Sequence, residues 1–89
     1  MTTAAGAAVD YAMYDVMKSM AASLRVAYGR RVGAASTDDE REHWRAKRLA
    51  VRRIVAGAVD TDRADLIART QMMRNEFDRI GGLSDGGRV

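Results

Sequence analysis

The chain has 89 residues, enough for one small domain and no second core. Apolar residues make up 47% and charged residues 30%, a globular balance, and the net charge is +3. There is no cysteine, which excludes disulfides and thiolate metal sites, and no proline, which lets helices run uninterrupted. A chain without cysteine fits a reducing cytoplasm, and that is the location expected. Arginine outnumbers lysine 13 to 2 and alanine is abundant, a composition that suggests a bacterial or phage genome rich in GC.

The first segment, MTTAAGAAVDYAMYDVM, is apolar. It has no basic start, and Asp10 and Asp15 interrupt it, so it is read as neither a signal peptide nor a membrane span. Residues 1–7 are expected to be mobile. A first helix is expected over about 8–31, with Val9, Met13, Val16, Met17, Met20, Leu24, Ala27 and Tyr28 on one face at steps of mostly three and four. Gly29 and Gly33 bracket its expected end.

The run Ser36-Thr37-Asp38-Asp39-Glu40 is the clearest helix start in the chain. With Thr37 as N-cap, Glu40 falls at N3, the capping-box arrangement, and the cluster of acids suits the positive end of the helix dipole. A second helix follows over about 38–58, with Trp44, Val51, Ile54, Val55 and Ala58 facing inward and Leu49 facing out. Asp60, Thr61 and Asp62 offer N-caps for a third helix over about 62–80. Its inward face is Leu66, Ile67, Thr70, Met73, Phe77 and Ile80, and Asp65 precedes Arg69 in the favourable i,i+4 orientation. Gly81 and Gly82 stop it, and the tail 83–89 is expected to be mobile. No strand signal or internal repeat is present. Three helices of similar length on short connections imply an all-α, up-down-up three-helix bundle. The first helix is the longest and is rich in methionine, so it is also a candidate to extend beyond the bundle and meet a second copy or a partner.

Chemistry for catalysis is sparse. The single histidine, His43, follows Glu40 by three residues, the E-x-x-H half of a helical carboxylate metal site. The plainer reading is a solvated histidine among acids, and no metal or other cofactor is implied. The serines lack a recognisable base, and the glycines form no phosphate loop. No enzyme activity and no small-molecule substrate are therefore expected.

Charge is the most distinctive feature. Arg41, Arg45, Arg48 and Arg52 are spaced by four, three and four, one stripe along the second helix, flanked by Lys47 and Arg53. Residues 25–53 hold nine basic and four acidic residues, a local excess of five. Such a stripe is either a solvated helix face, a grip for carboxylates of an acidic protein, or a grip for phosphates of a nucleic acid. The long amphipathic helices and the lack of aromatics among the basic residues argue against the last. Tyr11, Tyr14 and Met72 cannot share the inward faces and are expected to form apolar surface. The expectation is a helical protein–protein interaction module of antitoxin-like or adaptor-like character, or a self-associating one, with a nucleic-acid-associated protein as the alternative and a Glu40/His43 metal protein as a distant third.

Overall fold

The computed structural model of the chain describes residues 8–84. It contains three helices, α1 (Tyr11–Ala34), α2 (Asp38–Ala56) and α3 (Arg63–Arg79), and no strand among the described residues. The chain is a small all-α three-helix bundle.

Each helix starts at a side-chain cap. The Asp10 carboxylate accepts from the backbone N–H of Met13, Thr37 accepts from Glu40 and Asp62 accepts from Asp65. These bonds satisfy backbone donors that a helix start leaves without partners. Asp10 is thus a cap rather than an interior residue, and α1 begins three residues later than periodicity alone implied. The Glu40 carboxylate accepts from the N–H of Ser36, one residue ahead of the cap. Gly29 and Gly33 both lie inside α1, which runs on to Ala34 and leaves a connection of only three residues. At the end of α3, Gly81 and Gly82 adopt positive φ, and the N–H of Gly82 donates back to the Phe77 carbonyl at 2.8 Å. That left-handed turn is open to glycine at little steric cost.

The helices run up, down and up. At one end the N–H of Asp10 donates to the Asp60 carbonyl, and Arg63 pairs with Asp10 at 2.6 Å. At the other end Arg31 of α1 meets both Trp44 of α2 and Ile80 beyond α3. α1 is the spine: α2 and α3 each pack along it and meet one another through side chains, with Arg69 of α3 donating to the Ile54 carbonyl of α2 at 3.1 Å. Its extra length is used inside the fold, because Asp10 ties down its start and Arg41 donates to the carbonyl of Ala35 just past its end.

The core is Met17, Met20, Ala21, Leu24, Ala27 and Tyr28 of α1 against Val51 of α2 and Leu66, Met73 and Ile80 from the α3 side. Trp44, Ile54, Val55 and Phe77 pack around it half-buried. Two residues expected inside are exposed, Val16 and Ile67. Each sits at the border of its helix's apolar arc, on the flank that no neighbouring helix covers. Ala21 takes the inward place instead. Tyr14, expected on the surface, is half-buried against the core, with Lys18 over its ring. Tyr11 and Met72 are exposed as expected.

Leu83 and Ser84, expected to belong to a mobile tail, are held: Arg30 donates to the Leu83 carbonyl and Arg31 to that of Ser84. The expected mobility of 1–7 and 85–89 concerns segments outside the described residues. No described helix is long and apolar enough to cross a membrane.

Candidate functional site

The arginine stripe of α2 divides in the fold. Arg41 is engaged locally. It pairs with Asp38 at 2.6 Å and donates to the carbonyl of Ala35, so it fastens the α1–α2 connection. Arg45, Arg48 and Arg52 stay together and are joined by Arg25 from α1. With Leu49 at their centre they line a depression of about 440 Å³ along the α1–α2 seam.

Local geometry explains why the group assembles. Arg45, Arg48, Leu49 and Arg52 are one helical turn apart and share a side of α2. Val51, across the helix from Leu49, fixes α2 by its burial. On α1, Gly29 lies one turn after Arg25, and the Arg48 guanidinium rests above it, 3.7 Å from where a Cβ would stand. The guanidinium thus lies over bare α1 backbone, with room for no more than a methyl at ordinary contact distance between them.

The electrostatics are unbalanced. Arg45 reaches only Glu42, at 3.5 Å, with both side chains largely in solvent. Arg25, Arg48 and Arg52 make no ion pair or hydrogen bond among the described residues. Four acids elsewhere already pair with other arginines: Asp38 with Arg41, Asp10 with Arg63, Asp65 with Arg69 and Glu76 with Arg79. The cleft is therefore a cluster of four cations of which only Arg45 has an ion-pair partner among the described residues, and Leu49 within it is 52% exposed. Of the two neighbours that flank the stripe in sequence, Lys47 turns to the opposite side of α2, into a groove with Glu76 and Met72, and Arg53 is exposed.

Other candidates do not join this site. Tyr11 and Tyr14 lie near the start of α1, and Met72 borders the α2–α3 groove. They form no single patch with the arginines. His43 is exposed and packs edge-on against Trp44, with ring centroids 4.8 Å apart. Glu40 points away from it into the α2 cap. Among the described residues no group of three or more histidines or acids is placed to hold a metal ion.

The contribution of Arg25 was not readable from periodicity, because it needs the register between α1 and α2. The pairing of Arg25 with Gly29, i and i+4 on the flank of the apolar arc, is the only trace of it in the sequence.

The most perturbed titrations lie away from the cleft. Glu76 is held down to about 2, first by the Arg79 guanidinium bonded to both its oxygens at 2.8 Å and then by the Tyr28 hydroxyl at 2.5 Å. Burial, and next the bond to Glu76, push the Tyr28 phenol above its ordinary range. This is a closed structural pair. No protein-family profile matches the chain, and no curated protein or solved structure is significantly similar to it.

Proposed function

We propose that this protein is a non-enzymatic helical interaction module that grips an acidic protein partner through the α1–α2 arginine cleft. The observation that carries the reading is Leu49, exposed at the centre of Arg25, Arg45, Arg48 and Arg52. Guanidinium forks bind carboxylates in pairs. An exposed leucine ringed by cations matches a partner segment with an apolar residue flanked by acids, since interfaces combine an apolar centre with a charged rim. A phosphate backbone would use the arginines and leave Leu49 without a counterpart. The module would modulate its partner by occupancy, in the manner of a small accessory or regulatory protein.

The test is a titration followed by NMR. Labelled protein is mixed with an acidic, leucine-containing helical peptide and, separately, with duplex DNA of equal charge. Shifts confined to Arg25, Gly29 and residues 45–52 with the peptide, and lost in the Arg45→Glu/Arg48→Glu variant, support the reading. Tight binding of the DNA with a steep salt dependence, and none of the peptide, would replace it with a nucleic-acid role.

A further inference from the structure

On the other flank of α1 a second depression, of about 430 Å³, runs between α1 and α3. Its apolar floor is Val16, Met20 and Phe77, and Asp15 and Arg74 stand at its rims. Val16 is 51% exposed, and Ile67, on the same side of α3 one turn before Thr70, is 45% exposed. Neither Asp15 nor Arg74 makes an ion pair among the described residues.

The register between the helices places these two charges. Tyr28 bonds to Glu76 and Arg31 to Ile80, so Arg74 stands level with α1 positions near 26. Asp15 lies about eleven residues earlier, roughly 16 Å along the helix at 1.5 Å per residue. One acid and one base thus stand at opposite ends of one apolar strip.

We propose that this strip is a homodimer interface, formed with a second copy of the chain around a two-fold axis across its middle. Such an axis reverses the strip, so Asp15 of each copy meets Arg74 of the other while Val16, Phe77 and Ile67 cover one another. An isologous contact requires a surface complementary to itself, which charges of opposite sign at mirrored ends provide. A partner of one charge sign would satisfy only one end. The arginine cleft cannot serve this purpose, because a two-fold axis there would stack guanidinium on guanidinium. The dimer leaves the cleft on the far flank of α1 open, so each assembly would present two copies of it.

Sedimentation velocity from micromolar to millimolar protein tests this on the full chain, with the Asp15→Arg and Arg74→Asp variants and the double exchange. The wild type is expected to dimerise. Each single variant creates a like-charge contact and raises the dissociation constant at least about tenfold. The double exchange restores it. Both sites of change are exposed, and circular dichroism is used to check that helicity is kept. A wild type that stays monomeric throughout, or a double variant no stronger than the singles, overturns the proposal. As a second measurement, a spin label on Ser19→Cys, mixed with isotopically labelled wild type, should broaden signals around Arg74 and Ile67. A dimer that broadens other surfaces instead also overturns it.

Discussion

Arg31 and Arg48 flank the same helix pair and carry the same guanidinium, yet the fold treats them in opposite ways. Arg31 is 5% exposed, stacks 5.6 Å from the Trp44 ring and donates to the carbonyls of Ile80 and Ser84. Those carbonyls lie at and just beyond the end of α3, where the helix dipole is negative, so a buried cation is stabilised there without a carboxylate. Arg48 is exposed, rests on a bare stretch of α1 backbone and has no acceptor among the described residues. One arginine is spent on joining α1, α2 and the α3 terminus. The other is left available. Counting charges along a sequence cannot separate the two, because the difference is made by what lies opposite them.

The sharpest way to break this contrast is to remove Arg31. Arg31→Met leaves the terminal carbonyls of the α3 end short of donors and deprives Trp44 of its cation. Bonds from a charged donor contribute about 1.5–3 kcal/mol each. A loss of about 3 kcal/mol or more is expected, a fall in Tm of roughly 12 °C or more for a domain of this size. Arg31→Lys recovers only part, since a compact ammonium lacks the planar fork that reaches both carbonyls while stacking on the Trp44 ring. A Tm unchanged in Arg31→Met, measured by thermal circular dichroism, would show that the burial is incidental.

The next effect comes from the acid that α3 holds in a similar closed network. The Glu76 carboxylate receives Arg79 and the Tyr28 hydroxyl and is ionised down to about pH 2. Its folded value lies below the ordinary 4.5, so the stability it contributes is fully present above that pH. Stability falls progressively as pH drops from 4.5 towards 2. Glu76→Gln should cost about 1–2 kcal/mol at neutral pH and flatten that part of the acid profile. Tyr28→Phe should cost about 1 kcal/mol and narrow the window from below, because the carboxylate loses one donor. Denaturant melts between pH 2 and pH 6 decide between these outcomes.

Capping and periodicity made the helices legible before any coordinates. Thr37 with Glu40 is a local signal that does not depend on tertiary packing, and that cap forms; of the three candidates Asp60, Thr61 and Asp62, it is Asp62 that caps α3. The inward residues at arc centres, such as Met17, Leu24, Val51 and Met73, were equally plain. The arc borders were not. Val16 and Ile67 sit where covering depends on how two helices splay around a third, which no single helix encodes. The site shows the same division. Arg45, Arg48 and Arg52 share a side of α2 by spacing alone. The withdrawal of Arg41 to Ala35, the arrival of Arg25 and the burial of Arg31 all follow from the α1–α2 register.

Gly29 sharpens the comparison from the side of the backbone. A glycine inside a helix costs roughly 0.5–1 kcal/mol relative to alanine. A methyl there would meet Arg48 at an ordinary 3.7 Å. Gly29→Ala should therefore raise stability by that amount. If it also weakens acidic-peptide binding, the residue serves the cleft at the expense of the helix. Gain in stability with binding untouched would show that the bare backbone beneath Arg48 has no part in recognition.

The smallest expected effect has the most telling sign. Arg25, Arg48 and Arg52 are closer together in the fold than in the unfolded chain and lack counter-charge, so they repel. Neutralising one, as in Arg52→Gln, removes repulsion and breaks no bond among the described residues. Stability should stay within about 0.5 kcal/mol of the wild type and move upward. Added salt screens the same repulsion over roughly 10 Å at 0.1 M, so the gain should shrink as salt rises. An arginine whose loss stabilises the domain at low salt is not held there by folding, as the proposed binding role requires. A loss of stability in Arg52→Gln, measured by urea melts at two salt concentrations, would instead make the cleft part of the scaffold, as Arg31 is.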